Sequence, residues 1–243
     1  MTAETFDLIC IGGGSGGVAT ARRAAEYGAK VALIEKARVG GTCVNVGCVP
    51  KKLFWYAANT AEALHNAPLF GFAKPESVAC DWASSTKERD VYVARLNGFY
   101  EKNQEKSGVS LIRGAAKFID KETVEVEGKR YQAKHILIAV GGTPSIPEIA
   151  QAQLGITSDD FFALEKQPQH MLIIGGGYIA CEIAGVMQAL GSQAEIVIRG
   201  KHLLRQLDED ISGTLADAMQ EQGIKIHREA NVKAIEKQGG QLE

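Results

Sequence analysis

The feature that most constrains the fold of this chain is an internal duplication of a strand, a glycine-rich turn and a helix. The first copy reads "DLICIGGGSGGVATARRAAEYG" and the second reads "MLIIGGGYIACEIAGVMQALG". Each begins with an aliphatic run typical of a buried parallel strand and continues with helical spacing of apolar residues. Another short apolar run follows each copy, "KVALIEK" and "QAEIVIRG". The duplication therefore predicts two β-α-β units of the kind that bind dinucleotides.

The stretch between the two copies sets the expected domain boundary. Helical segments near 49–66 and 81–106 and short strand-like pieces over 109–140 precede the Pro-bearing "TPSIPEIAQAQ", which lacks periodicity. We expect an α/β protein with two Rossmann-like dinucleotide-binding domains, at residues 1–145 and 146–243. Because few strands follow the second copy, we expect the second domain to be partial and the chain to be truncated.

Composition excludes several classes of partner. The chain carries 27 Lys and Arg against 29 Asp and Glu, for a net charge of -2, and it has no dense basic stretch. Since a nucleic-acid interface requires a basic footprint, we expect no nucleic-acid partner. No apolar run reaches the ~18–20 residues of a membrane span, and no signal sequence precedes the first strand. We therefore expect a cytoplasmic protein with no membrane association.

The first glycine turn has the G-x-G-x-x-G spacing of a dinucleotide site. Gly12 suits the tight turn, Gly14 allows the backbone to approach a pyrophosphate, and Gly17 lets the helix pack on the strand. The helix N-terminus that follows offers free N–H groups to phosphates. Glu35 ends the next strand, where a carboxylate accepts hydrogen bonds from ribose hydroxyls. This pattern predicts a nucleotide with a free 2′-hydroxyl.

The second turn repeats the pattern with a different residue at the end of the next strand. Gly175 and Gly177 match the first two glycines, and Ala180 is the permitted small residue at the packing position. Arg199, rather than an acid, ends the following strand, and Arg205 lies nearby. Guanidinium groups pair with a 2′-phosphate, so we expect NADP(H) at this site. The alternative is that both arginines are solvated surface charges.

Cys43 and Cys48 lie in "GGTCVNVGCVPKK". A structural zinc site needs four ligands, and the other three cysteines are scattered singly, so we expect no metal. In a regular helix the pair would be ~7.5 Å apart along the axis, beyond the usual ~4.4–6.8 Å between the Cα atoms of a disulfide. A bridge therefore needs a distorted turn, which Asn45 and Gly47 can provide. A disulfide that closes such a short loop stabilises the fold little, but it suits a cysteine pair that is repeatedly oxidised and reduced.

These motifs together resemble the pyridine nucleotide–disulfide oxidoreductases, and most closely the members that act on glutathione disulfide. The resemblance runs from residue 6 to the end of the sequence, and the cysteine motif is its most specific part. It implies FAD at the first site, NADPH at the second, and a homodimer. The interface domain of the family, with its His-Pro-Thr…Glu motif, is absent from this sequence.

The resemblance also implies which residues contact the two cofactors. The contacts implied for FAD are Gly12, Gly14, Ser15, Gly16, Gly17, Glu35, Thr42, Cys43, Lys51, Ala116 and Gly141. Those implied for NADPH are Gly175, Gly176, Gly177, Ile179, Ala180, Glu182, Arg199 and Arg205. The chain departs from the family at Val140, where the family usually has a threonine before Gly141.

The implied reaction is an electron relay from NADPH through FAD and the cysteine pair to glutathione disulfide. Cys48 matches the sulfur next to the flavin, and Cys43 matches the thiol that attacks the substrate. Lys51 and Glu182 match a lysine beside the flavin ring and its carboxylate partner, and a cation there favours electron density on the flavin. Tyr178 matches the residue that covers the nicotinamide pocket.

Three residues bear on the choice of disulfide substrate. Ala19 and Arg22 occupy positions where trypanothione-reducing members carry an acid and a bulky aromatic, and an arginine suits the carboxylates of glutathione. Tyr100 matches a tyrosine that contacts the substrate. The alternatives are that Arg22 is a solvated helix charge and Tyr100 a core aromatic. Lipoamide- and mercury-reducing members, or a non-catalytic flavin-binding fragment, are the rival functions.

Overall fold

The computed structural model describes residues 3–73, 75–239 and 241–242. The chain divides into two compact units, Met1–Pro50 with Arg89–Thr143, and Lys51–Glu88 with Pro144–Glu243. Each unit contains one copy of the strand–glycine turn–helix motif, and the predicted α/β class is confirmed. The domain bounds 1–145 and 146–243 stay a prediction. In the structure, the segment 51–88 groups with the second unit.

The first unit is built on a six-stranded sheet with the order β3-β2-β1-β6-β5-β4. Strands β1, β2, β3 and β6 are parallel, whereas β5 pairs antiparallel with both β6 and β4. The strands are β1 (Glu4–Ile11), β2 (Val31–Glu35), β3 (Ser110–Arg113), β4 (Lys117–Phe118), β5 (Thr123–Val126) and β6 (Lys129–Ile138). The helices that begin in this part of the chain are α1 (Ser15–Glu26), α2 (Gly41–Asn45) and α3 (Cys48–Asn66), and α4 (Trp82–Lys106) runs into it.

Apolar side chains bury both faces of the central strands of this sheet, which explains why β2 is buried along its whole length. On one face, Val18 and Ala21 of α1 pack with Cys10, Val31 and Leu33. On the other face, the core combines residues from β1, β2, β5 and β6, namely Phe6, Ile9, Ile11, Ala32, Ile34, Val124, Val126, Tyr131 and Ala133. A strand covered on both sides reads as a continuous apolar run, as the sequence does here.

The second unit contains a parallel three-stranded sheet with the order β7-β8-β9. The strands are β7 (His170–Ile174), β8 (Gln193–Val197) and β9 (Lys225–His227), and β10 (Lys237–Gln238) and β11 (Gln241–Leu242) form a separate antiparallel pair. The helices are α5 (Ser158–Phe161), α6 (Tyr178–Ala189) and α7 (Glu209–Glu221), and short 3₁₀ turns cover Ala67–Phe70 and Ala152–Leu154. Helices α6 and α7 bury Ala184, Ala216 and Met219 against Ala194 and Ile196 of β8.

An aromatic cluster explains why the segment 51–88 belongs to the second unit. The rings of Phe54 and Trp82 stack with centroids 4.8 Å apart, and Phe161 meets both rings edge-on. Trp82 also donates its indole N–H to the Leu164 carbonyl oxygen at 2.9 Å. Buried aromatic pairs contribute about 0.5–1.5 kcal/mol beyond the area that they bury. The cluster therefore packs the two ends of segment 51–88, which lie in α3 and α4, against α5.

Among the described residues, no helix has the length and apolar character needed to cross a bilayer. The predicted cytoplasmic location stays a prediction.

Candidate active site

The first glycine turn has the close backbone packing that its sequence predicts. Gly12 has φ +108, a value that favours glycine, and its N–H donates to the Ile34 carbonyl oxygen at 2.8 Å. A side chain at Gly17 would overlap the Gly12 carbonyl oxygen, so helix α1 can lie against β1 only with glycine at this position. Gly14 caps α1 without a side-chain hydrogen bond in the described structure. The N–H groups of the first turn of α1 are therefore open to an anionic ligand.

Glu35 is buried at the end of β2 and is held by two backbone N–H groups. Its Oε2 accepts a hydrogen bond from Gly13 at 2.6 Å, and its Oε1 accepts one from Ala37 at 2.7 Å. A carboxylate oxygen accepts more than one hydrogen bond, so both oxygens retain capacity for a ribose hydroxyl. A Cβ at Gly13 would lie 3.0 Å from Glu35 Oε2, which shows how closely turn and carboxylate approach.

The two cysteines lie on either side of a break between helices. Cys43 is in α2, which ends at Asn45, and Cys48 is the first residue of α3. At the break, a Cβ on Gly47 would lie only 2.8 Å from the Thr42 carbonyl oxygen, so the chain passes too close for a larger residue. The predicted distorted turn is thus present. Both cysteines are free thiols here, and the Cys48 side chain is close enough to affect the pKa of the Cys43 thiol.

The environment of Cys43 keeps its sulfur protonated. Desolvation by burial raises the pKa of the Cys43 thiol, and the hydrogen bond and charge of the Cys48 side chain raise it further. The backbone N–H of Cys48 acts in the opposite direction, because it donates to the Cys43 sulfur and so stabilises the thiolate. The Cys43 pKa is therefore above its ordinary value, and proton removal from this sulfur requires high pH or a base.

In the second unit, the predicted Lys51 and Glu182 form an ion pair. Lys51 Nζ lies 2.7 Å from Glu182 Oε1, and their side chains are 22% and 41% exposed. Lys51 is on α3 and Glu182 is on the second turn of α6, 131 positions further along the chain. The sequence pattern of α6 does not explain why an acid occurs in this apolar helix. The ion pair with Lys51 explains it.

The second glycine turn repeats the backbone of the first. Gly175 has φ +129, its N–H donates to the Val197 carbonyl oxygen at 2.9 Å, and α6 begins at Tyr178. Gly177 caps α6 without a side-chain hydrogen bond among the described residues, so the first turn of α6 is also open to phosphate. Ala180 is buried at the packing position, whereas Tyr178 is 68% exposed.

The hydrogen bonds of the two turns show which residue of the second copy corresponds to Glu35. Gly12 bonds Ile34, the residue before Glu35, and Gly175 bonds Val197, the residue before Ile198. The counterpart of Glu35 is therefore Ile198, which is buried in the core of the second unit. Arg199 lies one residue further along, outside the strand, and both Arg199 and Arg205 are exposed. Arg199 therefore does not end the strand as predicted, because β8 ends at Val197, and the binding of NADPH by Arg199 and Arg205 stays a prediction.

Comparison with known proteins agrees with this geometry. The model of the pyridine nucleotide-disulphide oxidoreductase family matches residues 6–243. The chain belongs to this family. It is 46% identical to the glutathione reductase of Schizosaccharomyces pombe and 44% identical to that of Yarrowia lipolytica. These matches cover 97% and 98% of the chain but 53% of each relative, so the chain spans about half the length of the curated relatives it matches.

A solved structure of the same kind is similar over the whole chain. The copper(II) complex of the HOCl-induced flavoprotein disulfide reductase RclA from Escherichia coli matches with a TM-score of 0.85 and 26% identity. The match covers 100% of this chain and 53% of that protein. The similarity supports the assignment of the fold to this oxidoreductase family.

The expected substrate residues lie on two helices of the first unit, Ala19 and Arg22 on α1 and Tyr100 on α4. Ala19 is exposed on α1, and Arg22, three residues on, is half-buried and donates Nε to Ser107 Oγ at 3.2 Å. Tyr100 on α4 is half-buried against the core between α1 and the sheet. Arg22 is therefore fixed rather than a freely solvated charge, and Tyr100 has the packing of a core aromatic. Their roles toward a substrate stay predictions.

The other expected cofactor residues lie at the turns or near the sheet. Ser15, Gly16, Thr42 and Gly141 are exposed, and Ala116 is packed beside the core of the first sheet. In the second unit Gly176 is half-buried and Ile179 is exposed. Their cofactor contacts stay predictions.

Two asparagines next to the cysteines were not predicted to act together. Asn97 on α4 contacts Asn45, the last residue of α2, although 52 positions separate them. The sequence offered no signal for this pair, because α4 is amphipathic only weakly and Asn97 has no motif around it.

Proposed function

We propose that this chain is the flavin- and disulfide-bearing part of an NADPH-dependent glutathione-disulfide reductase, an enzyme that keeps glutathione reduced. The observation that carries the proposal is the placement of two free thiols, Cys43 and Cys48, on either side of the break between α2 and α3. The two curated relatives named glutathione reductase support the choice of substrate. The homodimer and the cytoplasmic location are proposed with it.

The first turn fits FAD. The open N–H groups at the start of α1 and the close approach of Gly12 and Gly14 suit a pyrophosphate, and Glu35 suits the ribose. The open start of α6, with the exposed Arg199 and Arg205 after β8, suits NADPH. Bound FAD would supply the cysteine pair with two electrons taken from NADPH.

The cysteines then perform the second half of the reaction by thiol–disulfide exchange. The Cys43 thiolate attacks one sulfur of glutathione disulfide, which forms a Cys43–glutathione mixed disulfide and releases one glutathione thiolate. The Cys48 thiolate attacks the Cys43 sulfur, which closes the Cys43–Cys48 disulfide and releases the second glutathione. One dithiol is oxidised, one disulfide is reduced, and the two thiol protons pass to the two glutathiones.

The Lys51–Glu182 pair gives the chain a fixed cation in the second unit. Half-buried Lys51 is held by the carboxylate at 2.7 Å, so its ammonium group keeps one position. We assign to it the role of the lysine beside the flavin ring, where positive charge favours electron density on the flavin. Glu182 is then the residue that orients this lysine.

A single-turnover experiment tests the exchange chemistry without any cofactor. The chain is reduced, freed of reductant, and mixed with one equivalent of glutathione disulfide, and released glutathione and cysteine oxidation are measured. Two glutathiones per chain and a closed Cys43–Cys48 disulfide are expected. Cys48→Ser should stop after one glutathione, with an adduct that mass spectrometry locates on Cys43. Cys43→Ser should form much less adduct, and equal adducts in the two variants would contradict the assigned roles.

A second experiment tests whether the α1 surface selects an anionic disulfide. Ala19→Glu combined with Arg22→Trp should slow exchange with glutathione disulfide and speed exchange with cystamine, a cationic disulfide. The introduced carboxylate repels the anionic substrate and attracts the cationic one. The two exchange rate constants are compared in the parent and the variant. Arg23→Ala, at an exposed neighbouring position, is the control. An unchanged ratio in the double variant would mean that this face of α1 does not contact the substrate.

A further inference from the structure

A pair of asparagines holds the turn that carries Cys43. Asn97 Nδ2 donates to the Val39 carbonyl oxygen at 2.8 Å and to Asn45 Oδ1 at 3.0 Å. Asn45 Nδ2 in turn donates to the Gly41 carbonyl oxygen at 2.9 Å. Both residues are half-buried. The pair thus joins α4 to both ends of the short helix α2.

Only one orientation of the two amides satisfies these contacts. The carbonyl oxygens of Val39 and Gly41 can only accept hydrogen bonds, so each must face an NH₂ group. Asn97 therefore points its nitrogen at Val39, and Asn45 points its nitrogen at Gly41. The Asn45 oxygen is then left to accept from Asn97. An interlocked arrangement of this kind has no alternative amide flip of equal energy.

The position of the pair relative to the sulfurs gives it a chemical consequence. Asn45 is two residues from Cys43 and three from Cys48, and α2 has only five residues. Such a short helix gains little stability from its own hydrogen bonds, so its conformation depends on outside contacts. Val39 is fully buried in the core of the first unit, which makes it a rigid anchor for Asn97.

We propose that Asn97 is a positioning residue of the dithiol site, which acts through Asn45 to hold the turn that places Cys43 near the start of α3, where Cys48 lies. The proposal rests on the proposed function only in that the two cysteines form a redox-active pair. Without the hydrogen bonds of Asn97, the dithiol form gains loop conformations in which the sulfurs are apart, whereas the disulfide form is held by its covalent bond. Loss of Asn97 therefore shifts the equilibrium toward the dithiol, because the effective concentration of one thiol at the other falls.

The test is the equilibrium of the Cys43–Cys48 pair with dithiothreitol, a reductant that requires no recognition of glutathione. Oxidised dithiothreitol takes up two electrons and two protons from the dithiol, and the reverse reaction restores it. The chain is equilibrated at several ratios of reduced to oxidised dithiothreitol, quenched by alkylation, and analysed by mass spectrometry of the peptide with both cysteines. Asn97→Ala should lower the equilibrium constant for disulfide formation by about three- to ten-fold, the range for a typical hydrogen bond.

Two further variants separate positioning from general stability. Asn45→Ala keeps the bond from Asn97 to Val39, and the double variant should shift the equilibrium no more than the larger single variant if both residues act through their mutual bond. Asn103→Ala makes the same change at an exposed position of α4 and should leave the equilibrium unchanged. Thermal unfolding is followed in parallel for every variant.

The outcomes distinguish the two proposals. A lower melting temperature with an unchanged equilibrium constant in Asn97→Ala would show a purely structural role, and a shift toward the disulfide would show that the pair favours separated sulfurs. Either result overturns the inference. Failure of the parent chain to form the Cys43–Cys48 disulfide would instead overturn the proposed function. If Asn97→Ala does not fold, Asn45→Ala decides the question by the same shift.

Discussion

The reactivity of Cys43 depends on neighbours that act in opposite directions. Burial and the Cys48 side chain raise the pKa of the Cys43 thiol, whereas the backbone N–H of Cys48 lowers it. Replacing Cys48 with alanine removes the side-chain hydrogen bond and the like charge but keeps the backbone donor. We therefore expect Cys48→Ala to lower the pKa of Cys43. The pH dependence of alkylation of Cys43 by iodoacetamide, followed on its own peptide by mass spectrometry, measures this change.

The direction of the effect on rate follows from the same argument. Since only the thiolate reacts, the alkylation of Cys43 in Cys48→Ala should reach its plateau at a lower pH than in the parent chain. Cys80→Ala, in the other unit, should leave the profile unchanged. Superimposable profiles for the parent and Cys48→Ala would mean that the Cys48 side chain does not contribute to the pKa of Cys43.

Helices and strands show where sequence patterns predict structure and where they do not. The strand–turn–helix copies were predicted because aliphatic runs and glycine spacing are local signals, and α3 lies where helical spacing placed it. The sequence carries no local signal for the grouping of 51–88 with the second unit, because this grouping depends on contacts of Phe54 and Trp82 with Phe161. The Asn45–Asn97 bond was missed for the same reason. Contacts between residues that are distant in sequence produce no periodic pattern in the sequence.

The packing of α1 on β1 leads to a prediction about two neighbouring glycines. A Cβ at Gly17 would overlap the Gly12 carbonyl oxygen, which belongs to backbone and cannot move aside cheaply. A Cβ at Gly16 would lie 3.9 Å from the Ala139 Cβ, an ordinary contact. Gly17→Ala should therefore destabilise the first unit by about 3 kcal/mol or more, whereas Gly16→Ala should change its stability by less than about 1 kcal/mol.

Hydrogen–deuterium exchange provides a local measurement of this difference. Gly17→Ala should accelerate exchange in the peptides that cover β1 and β2, and exchange in β7 and β8 of the other unit serves as the internal reference. Equal protection of β1 and β2 in the two variants would show that α1 can shift to accept the extra methyl group.

Across the whole molecule, the same backbone motif occurs twice with different residues after the second strand. The first copy places buried Glu35 against the turn at Gly13, and the second places buried Ile198 against Gly176, where a Cβ would lie 2.7 Å from Ile198 Cγ2. An isoleucine cannot accept a hydrogen bond from a ribose hydroxyl. The second copy thus lacks the group that recognises a 2′-hydroxyl, and the exposed Arg199 and Arg205 follow Ile198 in the sequence.

This difference predicts that the second unit distinguishes nucleotides by their 2′-phosphate. Replacing Arg199 and Arg205 together with alanine should weaken binding of 2′,5′-ADP at least ten-fold and leave binding of 5′-AMP nearly unchanged. Charge-assisted hydrogen bonds contribute about 1.5–3 kcal/mol each, and about 1.4 kcal/mol corresponds to a factor of ten, but exposure of both side chains favours the lower end. Isothermal titration calorimetry of both ligands measures the ratio, with Arg130→Ala on the first sheet as the control. Since screening weakens exposed contacts, the preference of the parent chain for 2′,5′-ADP should also fall as salt is raised. If the double variant kept the nucleotide preference of the parent chain, Arg199 and Arg205 would not contact the 2′-phosphate. Other residues would then determine the choice of nucleotide.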